Sequence, residues 1–175
     1  FHWAALRASG FTRLADLAGK RVGAGPARGP AEVYLRLALA ASGIEVQIVS
    51  GDPAALAAQL ARGEIDALWQ GAIVPIPSLV AVTERADAAV FGLDAVEIAT
   101  ISRRFPFLAP ARVPAGTYRG QTADIATMAA WNFVVAHKDL PDARATAILR
   151  AVFGAADPAR DIHAFAAGLR PADAL

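Results

Sequence analysis

The sequence predicts an α/β fold, a parallel-type sheet flanked by helices in three layers. Three observations carry that expectation. Short segments rich in β-branched residues alternate with longer apolar segments of helical spacing. One punctuation is used twice, with Gly29-Pro30 and Asp52-Pro53 opening helices that Gly43 and Gly63 close. The connections between these segments are short, as right-handed parallel units require. With 175 residues and 55% hydrophobic content, the chain is large enough to bury a full core.

Taken in order, residues 20–25 (KRVGAG) read as a first strand. A helix follows with Gly29 at its N-cap, Pro30 at the first helical position, Glu32 in the first turn and Gly43 just past its end. The alternating IEVQIV, residues 44–49, is a second strand. Asp52 caps the next helix, whose Leu56 and Leu60 lie one turn apart on one face. EIDALWQ, residues 64–70, is a third strand. Pro75 and Pro77 open a helix reaching about Arg85, AAVFGLD is a strand and VEIATISRRF a short helix. FPFLAPARVPAGTYRGQ, rich in Pro and Gly, reads as an irregular connection. IATMAAWNFVVAH, residues 125–137, is either a long strand or a buried helix, since periodicity does not arbitrate. DLPDARATAILRAVFG is a helix capped near Asp139 to Pro141 and closed by Gly154, and a last helix spans residues 158–168.

Charge narrows the partners. Seventeen basic residues face sixteen acidic ones, and neither sign gathers into blocks, which argues against a nucleic-acid partner and against an acidic tail. Cysteine is absent, so there is no disulfide, thiolate metal site or cysteine nucleophile. No apolar run reaches the roughly 18–20 residues of a membrane span, so the chain is not itself expected to cross a bilayer. It opens on Phe1 and stops at Leu175 without an evident terminal element, and so reads as a fragment at both ends.

GKRVGAGPARGPAEV has the outline of a dinucleotide fingerprint, with Gly23, Gly25 and Gly29 between a strand and a helix. Pro26 and Pro30, however, remove two backbone donors, and the second strand ends in IVSG without the acidic residue that would hold a ribose. Three readings remain: a dinucleotide, a different anion, or a tight turn with no ligand. Strand order 2-1-3 places a crevice between the loop after the first strand, with Gly25, Ala27, Arg28 and Gly29, and the end of the third, with Trp69, Gln70 and Gly71. A helix N-terminus, an arginine, an aromatic wall and an amide suit a small organic anion. Trp69 can equally be a core residue, and Arg28 a solvated loop charge. His2, His137 and His163 are far apart in sequence, Asp66 has no apparent acid or base partner, and no catalytic or metal-ligand motif occurs. The expectation is therefore no enzyme, no catalytic residue, no metal and no cofactor.

LADLAGKRVGAG, LARGEIDALWQGAIVP and VPAGTYRGQTADIATMAAWNFVVAHKDLPDARATAILRAVF, in this order, resemble the TAXI-type solute receptors of TRAP transporters, within the type II periplasmic binding-protein fold. The likeness runs from Leu14 to Phe153. It implies a ligand-binding lobe over residues 20–122, preceded by residues 1–19 as lead-in or remnant of a first lobe. Residues 123–175 would supply the hinge strand and helices of that first lobe. It further implies a periplasmic receptor that captures a glutamate-like or dicarboxylate-like anion for TRAP permease subunits, without chemistry on the ligand. Tyr118 and Gln121 match the family's segment beside the hinge and become candidates on that ground, although Tyr118 can also simply cap the core. Where the family opens its helix with a hydroxyl-bearing GSGT-like segment, this chain has Arg28-Gly29-Pro30-Ala31, which makes Arg28 the natural substitute contact. The same lobes serve as effector-sensing domains of bacterial regulators and, in some cases, as enzymes, so both remain alternatives.

Overall fold

The computed structural model describes residues 1–131 and 135–161. The chain divides into two compact units, Phe1–Trp131 and Asn132–Leu175.

The first unit is built on a five-stranded sheet. Its strands are β1 (His2–Leu6), β2 (Arg21–Gly23), β3 (Gln47–Val49), β4 (Ala67–Gln70) and β5 (Ala88–Phe91), in the spatial order β3-β2-β4-β1-β5. The three strands of the repeating unit, β2, β3 and β4, are parallel and have the expected 2-1-3 arrangement. β1 runs antiparallel to both of its neighbours, with His2 opposite Gln70 and Trp3 opposite both Trp69 and Phe91.

Local chemistry explains the helices. α1 (Pro30–Ser42) starts at Gly29 with proline in its first turn and ends at Gly43, whose φ of 66° is the left-handed conformation that glycine adopts without steric cost. α2 (Pro53–Ala61) is capped by Asp52, whose side chain accepts from the backbone of Ala54 and Ala55. α3 spans Pro77–Arg85. α4 (Ala95–Arg104) begins with a capping box in which Asp94 and Glu97 each accept from the other's backbone nitrogen.

These helices make the two outer layers. On one face Leu35 and Leu39 of α1 and Ile101 of α4 pack with Trp3, Trp69 and Phe91. On the other, Leu56 and Leu60 of α2 and Leu79 and Val82 of α3 pack with Ala4, Leu68 and Tyr118. The fold is thus the α/β lobe, helix on sheet on helix, that the alternation of segments predicts.

Two stretches depart from the sequence reading. The segment with no predicted element before residue 20 contributes β1, which lies between β4 and β5. HWAAL lacks alternation because residues 2–5 are buried on both faces. The expected irregular connection contains β6 (Leu108–Val113), which pairs antiparallel with β7 (Ile125–Ala130) in a separate two-stranded sheet. Pro110 hides this strand in the sequence, yet a two-stranded sheet has only edges, where a missing N–H is tolerated. β7 also resolves residues 125–130 as strand rather than helix; residues 132–134 of that segment lie outside the described residues.

β7 passes so close to Gly92 that a Cβ there would collide with the backbone of Ala126, and Leu93 donates to the same Ala126 carbonyl at 2.9 Å. The backbone nitrogen of Phe1 donates to Met128 O at 2.8 Å, so the start of β1 lies beside β7.

In the second unit α5 (Asp142–Phe153) follows Pro141 and ends at Gly154, as its punctuation predicts, and α6 covers Pro158–Asp161. The remainder of the last predicted helix, from residue 162, lies outside the described residues.

Candidate functional site

The two loops that strand order singles out leave β2 and β4, which are neighbours in the sheet. Gly25, at φ 72°, turns the chain out of β2, and its carbonyl accepts from Gly51 N at 2.8 Å, tying the loops after β2 and β3 together. A Cβ on Gly25 would stand 3.6 Å from Ala31 Cβ and 3.9 Å from Gln70 Nε2. Gly25, the first turn of α1 and the Gln70 amide therefore pack together, with Gly25 and Gln70 both buried. Gln70 is 6% exposed, and its Nε2 has no hydrogen-bond partner. An unpaired buried amide costs about 1–3 kcal/mol.

The other loop residues have separate surroundings. Ala27 and Arg28 are exposed, and Gly29 is half-buried. Arg28 has φ 59°, the one positive value outside glycine among the described residues. Its backbone nitrogen donates to Glu32 Oε2 at 3.0 Å, which helps to hold this strained turn. Its guanidinium makes no ion pair or hydrogen bond among the described residues.

Glu32 is the residue that sequence reasoning saw only as a favourable first-turn charge. Its buried carboxylate accepts from Arg36 Nε and Nη2 at 2.8 and 2.7 Å, from Arg28 N, and from Ser50 Oγ at 3.1 Å. The Arg36 bonds, then the Arg28 backbone bond, hold it below the usual carboxylate range. Arg28, Glu32 and Arg36 together carry one net positive charge, and the N-terminal end of α1 adds its partial positive charge.

Trp69 points into the core. It is 1% exposed, donates from Nε1 to Ala31 O at 2.7 Å, stacks with Phe1 at a centroid distance of 5.4 Å, and meets Trp3 in a tilted contact at 4.2 Å. In β4 successive side chains take opposite faces, so Trp69 braces α1 from the core side while Gln70 takes the other side. Gly71 lies against the Phe1 ring, which occupies the place of a side chain.

Tyr118 and Gln121 are part of a buried polar arrangement. Tyr118 Oη accepts from Ile76 N at 2.9 Å and lies 2.8 Å from His2 Nε2. Burial pushes the Tyr118 phenol up and His2 down to about 3. Gln121 serves the backbone. Its Nε2 donates to the carbonyls of Val113, Pro114 and Ala123, and its Oε1 accepts from Tyr118 N, which pins the turn before β7. The structure thus brings Gly25 and Gln70 together, links Tyr118 to Gln70 through His2, and leaves Gln121 as a support. His2 and Glu32 were missed as site residues. A lone histidine inside the apolar run FHWAAL was the available signal for the first; for the second there was none beyond its position in a first turn.

Asp66 has a structural partner as well. Its carboxylate accepts from the backbone N, Nε and Nη2 of Arg21 at 2.8, 3.1 and 2.9 Å, locking the start of β2 beside β4. Among the described residues no group of three or more His, Asp or Glu could hold a metal ion, and no helix is long and apolar enough to cross a membrane.

In comparisons with known proteins, the NMT1-like family matches the chain over residues 1–175. None of the curated proteins matches it.

Proposed function

This chain belongs to the NMT1-like family, a family of periplasmic solute-binding proteins, and from that premise we propose that it captures a small organic anion for a TRAP-type secondary transporter. The observation that carries the reading is the exposed loop at the start of α1, where the Arg28 guanidinium makes no ion pair or hydrogen bond among the described residues. A carboxylate placed there feels the positive end of the helix and pairs with Arg28. The expected solute is glutamate-like or dicarboxylate-like, one carboxylate at this loop and the rest under a second lobe closing on a hinge.

In this reading residues 20–122 form the ligand-binding lobe, whose sheet is completed by β1 from the lead-in residues 1–19, and residues 123–175 supply the hinge strand and first-lobe helices. The membrane permease is the downstream partner, and the periplasm the place of action. A receptor of this kind needs neither a cofactor nor a catalytic group: it binds, closes and releases.

Thermal unfolding of the full chain, with L-glutamate, 2-oxoglutarate or succinate added at millimolar concentration, tests the proposal. At about 100 times Kd, a ligand of the native state adds about 2.7 kcal/mol and raises Tm. Stabilisation by a carboxylate but not by glutamine or glycerol is the expected result. No shift with any of the acids, or a shift with the neutral solutes alone, overturns the anion reading.

A further inference from the structure

At the end of the sheet where β1 stops and β5 starts, an open cavity of about 310 Å³ is lined by Arg7, Glu84, Arg85, Asp87, Arg119 and Gly120. β1 is antiparallel to β4, with His2 opposite Gln70, so this end lies away from the loops that leave β2 and β4. The three arginines come from three separate segments. Arg7 follows β1, Arg85 ends α3, and Arg119 sits in the turn between β6 and β7.

Most of the donor capacity of these arginines is unspent. A guanidinium carries five N–H donors. Arg119 donates from Nη1 to Glu84 O at 3.1 Å, and Arg7 from Nη2 to Gly120 O at 3.5 Å. Arg85, exposed at the end of α3, makes no side-chain hydrogen bond or ion pair among the described residues. Arg21, Arg36 and Arg62, by contrast, each hold a carboxylate through two guanidinium nitrogens. Arg7 Nε also meets Asp87 Oδ1 at 3.3 Å, but the Asp87 side chain is 85% exposed, so water screens this pair. The turn is fitted to the arrangement: Gly120 has φ 73°, and a Cβ there would come 2.6 Å from Arg7 Nη2. Any other residue would strain the turn and displace the guanidinium.

We propose that this cavity is a second anion site, in which Arg7, Arg85 and Arg119 hold one phosphate-sized tetrahedral oxyanion. A planar carboxylate offers two oxygens and is satisfied by one guanidinium fork, whereas a tetrahedral oxyanion presents an oxygen to each of three. Three positive groups face the two carboxylates of Glu84 and Asp87, and that balance favours a single compact anion over a polyanion. The shared chemistry is that of a free phosphate or a phosphomonoester. The site does not depend on the solute at Arg28.

Isothermal titration of the full chain with inorganic phosphate, at fixed ionic strength, tests the proposal. Binding at millimolar concentration is expected, and it should weaken at least about tenfold in Arg85→Ala. That substitution breaks no side-chain bond among the described residues, so Tm in phosphate-free buffer should equal that of the wild type. Arg28→Gly, an arginine removed outside the cavity, should bind phosphate as the wild type does. No binding by the wild type, undiminished affinity in Arg85→Ala, or a comparable loss in Arg28→Gly overturns the site. Glycerol phosphate titrated in parallel distinguishes the two sources: tighter binding than inorganic phosphate assigns a phosphomonoester, and equal or weaker binding assigns the free ion, either result supporting the site.

Discussion

On the Trp3↔Trp69 rung of the β1–β4 ladder, two indoles lie 4.2 Å apart at their centroids, in the cluster that includes Leu35 of α1 and Ile101 of α4. On the adjacent rung, His2 and Gln70 project from the opposite face and leave two polar atoms without partners. The rungs share two strands and the same degree of burial. Each rung makes one side-chain bond, Trp69 to Ala31 O and His2 to Tyr118; the first leaves Trp3 Nε1 unpaired but gains extensive apolar contact, whereas the second leaves two polar atoms unpaired with less apolar surface buried. One rung stabilises the lobe by packing, and the other leaves buried polar groups uncompensated.

The aromatic rung should show the largest loss at Trp3. Trp3→Ala leaves a cavity between Trp69 and Phe91 and is expected to cost about 3–5 kcal/mol in denaturant unfolding. Trp69→Phe keeps much of the packing but removes the donor to Ala31 O, for an expected loss of about 1–3 kcal/mol.

The His2 rung has a pH signature. Its folded pKa of about 3 lies below the ordinary histidine value of 6.5, so between these values the unfolded chain binds the extra proton. Stability contributed by the neutral ring is complete above pH 6.5 and is lost as pH falls toward 3, with a limiting slope of about 1.4 kcal/mol per pH unit. Unfolding measured from pH 7 to 4 should show a steeper decline in the wild type than in His2→Phe; parallel curves would remove the distinction between the rungs.

A smaller effect is expected at Asp66, which Arg21 holds below its usual pKa. Its contribution is present above the ordinary aspartate value of 3.8 and is lost as pH falls through the lower folded value. Asp66→Asn should therefore be less stable than the wild type at pH 7, and the gap should narrow in acid. The smallest effect on stability belongs to Arg28→Gly. The residue is exposed and glycine adopts its positive φ freely, so stability should be unchanged or slightly raised, while affinity for L-glutamate falls if the guanidinium serves the solute.

Much of the lobe was legible in the sequence because its signals are local. Gly29-Pro30, Asp52-Pro53 and Gly43 act within one helical turn, and α1 and α2 begin where those residues set them. The order of β2, β3 and β4 follows from short right-handed connections, so their arrangement could be read from residue order alone. The strands were read too long: KRVGAG yields Arg21–Gly23 and IEVQIV yields Gln47–Val49, because pairing ends where the neighbouring strand ends.

The amino-acid sequence by itself therefore determined the class of fold and the boundaries of α1 and α2. Tertiary structure alone decided what surrounds each candidate side chain. It paired His2 with Tyr118 across 116 residues, turned Trp69 into the core, and gave Glu32 to Arg36, Ser50 and the strained loop at Arg28. The physical reason is the range of the forces. Caps and turns are settled by atoms within a few residues, whereas burial, strand pairing and the partners left to a polar atom depend on which distant segments arrive beside it.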